Sequence, residues 1–144
     1  MKNAELVGSG VLRYWMFSVY KASLYAKEGK YNGNPPYALS IEYFRSFSKE
    51  SIAKRTIEEM QKQGYKNKQN LEKWYELLVN IYPDIKKQDR LTAIALTNGN
   101  SIFYHDNKFI GQINSAEFTE KFFAIWLSNK TSEPRLREKL LGID

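Results

Sequence analysis

The chain has no cysteine and a single histidine, His105. That excludes a disulfide framework, a cysteine-ligated metal and a histidine-rich metal centre. No segment reaches the roughly 18 successive apolar residues of a membrane span. The first residues, Met1-Lys2-Asn3-Ala4-Glu5, lack the apolar stretch of a secretory leader. Chemical motifs are also missing. Gly8-Ser9-Gly10 has neither the spacing nor the strand–turn–helix setting of a nucleophile elbow. The two glycines are not followed by the third glycine or the helix of a dinucleotide site. Asp84, Asp89 and the helical carboxylates show no paired spacing on one face, so no carboxylate dyad is expected. His105 precedes Asp106-Asn107 in an expected turn, where an acid–base group would have neither partner nor shelter.

What remains is an apolar, aromatic, basic chain. Its 144 residues are 42% hydrophobic and 15% aromatic. This suffices for one core and one domain, residues 1–144. The net charge is +6. The lysines and arginines alternate with glutamates, as in Lys54, Arg55, Glu58, Glu59 and Lys62. That is the pattern of a solvated face, and nucleic acid is not the expected partner. Oligomeric state is not legible.

Periodicity sets the elements. Residues 5–26 read as extended, with Trp15, Phe17 and Val19 on one face and Tyr14, Met16 and Tyr20 on the other. Both faces are apolar, so both are expected to be covered, and a break or hairpin falls somewhere inside. Tyr37 to Phe44 alternates as a half-buried strand, with Ser40 and Glu42 facing out. Ser48 caps a helix carrying Ile52, Ala53, Thr56, Ile57 and Met60, which Gly64 stops. A second helix carries Leu71, Trp74, Tyr75, Leu78 and Tyr82 and ends at Pro83. Arg90–Thr97, Ser101–His105 and Lys108–Ile113 form a meander turned at Asn98-Gly99-Asn100 and Asp106-Asn107. Asn114 and Glu117 have capping-box spacing before a helix bearing Phe118, Phe122, Ile125 and Trp126. A last helix near Pro134 carries Leu136, Leu140 and Leu141. The order β-β-β-α-α-β-β-β-α-α implies α+β: an antiparallel sheet with helices on one face.

One feature stands out. Gly8-Ser9-Gly10 leads through Arg13 into an aromatic run ending at Leu24-Tyr25. A lone arginine among aromatics needs an anionic or strongly polar partner if buried. The set Trp15, Phe17, Tyr20, Trp74, Phe118, Phe122, Phe123 and Trp126 suits either a packed core or the walls of an apolar cavity.

The glycine-led strand, Val19-Tyr20-Lys21-Ala22-Ser23-Leu24-Tyr25 and Tyr43-Phe44-Arg45-Ser46-Phe47-Ser48 together resemble the chalcone isomerase-like family. So do Asn107-Lys108-Phe109-Ile110-Gly111, the Phe118 to Leu127 helix and the tail from Pro134 to Gly142. The resemblance spans nearly the whole chain and is to the short bacterial branch. It implies an open-faced β-sandwich: a curved antiparallel sheet of about six strands with helices packed on one face. It also implies an exported, periplasmic location, the cytoplasm being the alternative.

The plant enzymes of that family use a strand arginine to hold an enolate, a threonine on the next strand, and a tyrosine–asparagine pair on the helices. Arg13 corresponds to the arginine. Val11 and Leu12 precede it where the family has one residue, which turns Arg13 to the other face unless a bulge absorbs the difference. The threonine position falls at Tyr20. Seven residues after Tyr75 stands Tyr82, and seven after Tyr65 stands Glu72, so the asparagine is missing. Chalcone cyclisation is therefore not expected. The leading reading is a non-catalytic protein holding a small apolar, anionic or fatty-acid-like ligand between sheet and helices. Arg13 would meet the acid, and Trp15, Tyr20, Trp74 and Phe122 would form walls. No cofactor and no metal is expected. The alternatives are an isomerase or lyase using Arg13 as charge stabiliser with Tyr20, and an interaction module with a filled core.

Overall fold

Alternation of large apolar with small or polar residues makes Tyr37–Tyr43 the natural middle of a sheet, and that is where it lies. A computed structural model describes residues 3–143; residues 1, 2 and 144 of the expected domain lie outside the described residues. The elements are β1 (Ala4–Tyr14), β2 (Phe17–Lys27), β3 (Tyr37–Tyr43), α1 (Lys49–Lys62), α2 (Lys68–Ile81), β4 (Arg90–Ala95), β5 (Ser101–His105), β6 (Lys108–Ile113), α3 (Ala116–Leu127) and α4 (Pro134–Leu141). The six strands form one sheet in sequential order, and every neighbouring pair is antiparallel. The element order and the α+β class are those expected.

Register explains which residues meet the helices. Gly8 pairs with Leu24, Leu24 with Leu39, Leu39 with Ala93 and Ala93 with Phe103. This row and its neighbours Ala22, Ile41 and Leu91 share one face. They are buried with Met60, Leu78, Phe118, Phe122 and Phe123 of the helices. The helix stripes fall near their predicted positions, and the starts are capped as polar residues at such sites dictate. Ser48 Oγ accepts from Ser51 N, and Asn67 Oδ1 from Asn70 N, each at 3.1 Å.

Four expectations change. The hairpin inside 5–26 turns at Trp15-Met16, so its tip is exposed on both faces. Ser40, expected to face solvent, is buried, because Arg90 Nη1 and Thr92 Oγ1 donate to its hydroxyl at 3.1 and 3.0 Å. The α3 cap is Ser115, whose Oγ accepts from Phe118 N at 3.1 Å. Glu117 instead accepts from Tyr65 Oη at 2.8 Å and Asn70 Nδ2 at 3.1 Å. His105 has a partner after all: its Nε2 lies 3.2 Å from Asp89 Oδ2, because the chain entering β4 passes beside the end of β5.

The glycines opening the chain do a packing job. A Cβ on Gly8 would stand 2.0 Å from the carbonyl oxygen of Lys139, and one on Gly10 would stand 2.9 Å from Leu136 Cδ1. With no side chain in the way, α4 lies directly on β1 and buries Leu136 and Leu140. Gly8→Ala should therefore lower stability by about 1–3 kcal/mol, since backbone on both sides must move apart. Urea denaturation compared with Ser9→Ala measures it; equal midpoints for the two variants would remove glycine from this role.

Candidate functional site

Between the helix-facing side of the sheet and α1 and α3 lies a cavity of about 560 Å³. Ligand pockets commonly fall between roughly 300 and 1,000 Å³. Its sheet wall is Leu39, Ile41, Leu91, Ala93 and Phe103, and its helix wall includes Ile52, Phe122, Ile125 and Trp126. The strand residues reach it because period-2 alternation sends every second side chain to that face. Phe122 and Trp126 reach it because four residues bring a helix nearly back to the same face.

Tyr20 is the central polar group. It lines the cavity, and its oxygen accepts a hydrogen bond from Trp126 Nε1 at 2.9 Å. Its ring meets Tyr43 edge-on at 5.8 Å. Burial pushes the Tyr20 phenol up to about 12; the Trp126 bond opposes this, while the carboxylates of Glu133 and Glu59 reinforce it. The hydroxyl thus stays protonated at neutral pH. Its oxygen is occupied as an acceptor, and no acceptor for its proton appears among the described residues.

A polar corner adjoins it. Arg55, Glu59, Thr131, Ser132 and Glu133 all line the cavity. Glu59 is only 7% exposed. Its Oε1 accepts from Ser132 Oγ and lies 3.7 Å from Arg55 Nη2, while Oε2 lies 3.4 Å from Lys62 Nζ. Burial, followed by the charge of Glu59, pushes the Glu133 carboxyl up. The sequence pattern shows none of this, because the two carboxylates come from α1 and from the chain just before α4, far apart in sequence.

Of the five residues expected to bind, the structure brings together Tyr20, Phe122 and Arg13. Arg13 sits at the rim: exposed, lining the cavity mouth, with Nη1 donating to Ser18 Oγ at 3.0 Å. The register does shift between Leu12 and Arg13, but the residue left unpaired there is Val19 of β2, so the bulge lies in the partner strand and β1 keeps Val11 and Leu12 in regular pairing. Trp15 and Trp74 are not walls. Trp15 stands in the exposed turn between β1 and β2. Trp74 is buried elsewhere in the core, stacked on Tyr65 at 5.2 Å and edge-on to Phe118 at 5.4 Å. Helical spacing gave it a buried face, and that face belongs to solid packing. Tyr65 does meet an asparagine, accepting from Asn70 Nδ2 at 2.7 Å, but neither residue lines this cavity.

Away from the cavity, Asp89, His105 and Asp106 hold ligand atoms within 4.8 Å of one another. Both carboxylates already fasten backbone: Asp89 Oδ2 accepts from Lys86 N at 2.9 Å and Asp106 Oδ1 from Arg90 N at 3.0 Å. The first of these bonds, with His105 after it, holds the Asp89 carboxyl below its usual range.

Comparison with known proteins adds the following. A family model described as chalcone isomerase-like matches residues 1–142. An uncharacterized protein of Haemophilus influenzae is 26% identical over 137 residues, covering 94% of this chain and 67% of that protein. The crystal structure of a fatty-acid binding protein of Arabidopsis thaliana superposes with a TM-score of 0.75 at 13% identity, over 98% of this chain and 88% of that one. At such identity the likeness is one of fold.

The Tyr20 phenol makes a measurable prediction. Its ionisation lies near 10 in an unfolded chain and about 12 in the fold. A raised folded value means stability that is whole below pH 10 and is lost as pH rises towards 12. The fall is up to roughly 1.4 kcal/mol per pH unit from this group alone. Urea unfolding across that range should show a shallower decline in Tyr20→Phe than in the wild type. Parallel declines would mean that Tyr20 ionises as freely in the fold as out of it.

Proposed function

The chain belongs to the chalcone isomerase-like family, and from that premise we propose that it binds one small, mostly apolar ligand in the cavity rather than transforming it. The observation that carries this reading is a large, mostly apolar space with the Tyr20 hydroxyl, held by Trp126, among the groups that line it. Apolar walls supply most of the affinity, and one placed donor fixes orientation. The ligand is then a chain or ring system with a single oxygen acceptor, such as the carboxyl group of a fatty acid or the carbonyl of its ester. The description of the Arabidopsis neighbour as a fatty-acid binding protein supports an acyl ligand. Arg13 at the rim meets a charged end that reaches the mouth. Solvent weakens such a contact, so the buried phenol matters more.

The isomerase reading draws less support from the geometry. That reading needs Tyr20 as proton donor or orienter, and a phenol pushed up to about 12 is a weak acid that gives up its proton reluctantly at neutral pH. Arg13 is exposed and turned onto Ser18.

Native mass spectrometry of protein purified from a bacterial host should show a bound acyl species, and added fatty acids should raise Tm. Tyr20→Phe, which keeps the ring, should weaken binding roughly three- to ten-fold. Arg13→Gln should weaken it less. Ala93→Phe fills the space and should abolish binding while circular dichroism shows the fold intact. A protein that is empty as isolated and indifferent to fatty acids would defeat the proposal. With chalcone as substrate, wild type and Arg13→Ala should show the same background rate; a rate that the substitution destroys would restore the enzyme reading.

A further inference from the structure

We propose that the tip of the β1–β2 hairpin is an interfacial anchor that seats the protein on a bilayer containing anionic lipid. Tyr14, Trp15, Met16 and Phe17 are 65%, 84%, 90% and 54% exposed. Soluble proteins scatter large apolar residues singly over their surfaces. Here four in succession are held out by a two-residue turn. Tryptophan and tyrosine settle at the headgroup level of a bilayer, where an apolar ring and a polar edge are both satisfied.

The turn itself points the same way. Trp15 has a φ of 61°. At the first central position of a tight hairpin, positive φ is the province of glycine. A bulky side chain there costs backbone energy, and the ring it displays is 84% exposed, with Tyr14 edge-on to it at 6.5 Å. The fold gains little from that tryptophan, so its use lies outside the fold.

Charge selects the partner. Between Glu5 and Glu28 the chain has no carboxylate, while Arg13 adjoins the tip in sequence. Arg45 joins them from the loop after β3, its guanidinium carbon 4.5 Å from the centroid of the Phe17 ring. Arginines beside exposed aromatics, on a chain of net charge +6, complement an anionic surface. A narrow hairpin tip also suits a fluid interface, which closes around whatever enters it. Arg13 and Tyr14 line the cavity as well, so the docked tip sets the cavity mouth against lipid. That last consequence, and no other part of the proposal, rests on the cavity being a ligand site.

The test is co-sedimentation with vesicles of phosphatidylcholine alone or mixed with phosphatidylglycerol. Wild type should bind the mixed vesicles preferentially, with a blue-shifted tryptophan emission and less quenching by iodide. Trp15→Asn/Met16→Ser keeps a residue tolerant of positive φ. It should lower vesicle partitioning at least about ten-fold at unchanged Tm. Arg13→Gln/Arg45→Gln should erase the preference for anionic lipid. The proposal is overturned if wild type ignores anionic vesicles, binds both lipids alike, or loses nothing in the tip variant. Self-association abolished by the tip substitutions, without vesicle binding, would overturn it in favour of a second copy as occupant. Fatty-acid uptake measured without vesicles keeps the two readings apart: a tip variant that still takes up ligand but not lipid surface supports the anchor. Vesicle binding by a wild type that takes up no fatty acid leaves the anchor standing and defeats the cavity reading.

Discussion

The backbone of α4 rests on the backbone of β1 at Gly8, and the arrangement of the cavity mouth follows from that contact. Any side chain at position 8 would drive the two apart. With α4 seated, the connection from α3 is tied back onto the end of α3. Arg137 Nε donates to the carbonyl of Leu127 at 2.8 Å, and Thr131 Oγ1 to that of Ile125 at 2.7 Å. These two bonds fix Ser132 and Glu133 beside Glu59 and hold Trp126 where its indole can reach Tyr20. A similar close approach occurs at the opposite edge, where Gly111 of β6 faces the side chain of Ile81 from α2. Helices thus touch sheet backbone most closely at its two edges, whereas α1 and α3 make their nearest backbone approaches to other helices. A sheet clamped at both edges and spanned by side chains in its middle has room for a cavity there.

Filling explains why that room persists. The aromatic residues of α3 pack on one another, Phe118 on Phe122 at 5.3 Å and Phe122 on Trp126 at 5.2 Å, and on strand aromatics, Phe122 on Phe103 at 5.5 Å and Phe123 on Tyr37 at 5.1 Å. Rings braced in this way form a stiff wall beside the cavity. On the other side Ala93 and Leu91 are too short to reach across. A polar bridge runs from Tyr20 to Trp126 beside the aromatic ones. A cavity bounded by stiff rings is preorganised for a ligand, so little binding energy goes into rearrangement.

Periodicity made much of the fold legible. The stripes of α1, α2 and α3 depend on near neighbours in sequence and stand close to where the pattern puts them, whereas β3, read as half-buried, is covered on both faces. The turn at Trp15-Met16 was invisible because it contains no glycine, asparagine or proline, and apolar residues there read as more strand. For the same reason Trp15 looked like a wall. Trp74 was misjudged differently: a buried stripe shows that a residue is inside but not whether it meets packing or space. The polar corner and the His105–Asp89 contact join residues from separate elements, and no local spacing reports such meetings. Tyr20 and Phe122 were found because the family resemblance and the aromatic run converged on the strand and helix that the sheet brings together.

Arg13 stands at the boundary between cavity and solvent, although Val11 and Leu12 precede it where the resembling family has one residue. In a regular strand the additional residue would send the guanidinium to the opposite face. The register shift between Leu12 and Arg13 falls where Val19 of β2 goes unpaired, so β1 itself stays regular there, and the arginine ends at the rim, bonded to Ser18 across the hairpin. There it cannot stabilise charge developing in a dry interior, because solvent competes for every contact it makes. It can act at the boundary between cavity and surroundings. The neighbouring residues are altered in the same direction. Tyr20, at the position where the resembling enzymes have threonine, occupies space a bulky substrate would need and supplies a neutral donor in return. The residues after Arg13 abandon the core altogether and form the exposed tip. The hairpin displays Arg13 and the tip aromatics outward and holds the Tyr20 hydroxyl inside. That division of polar groups suits recognition at an entrance better than chemistry at a centre.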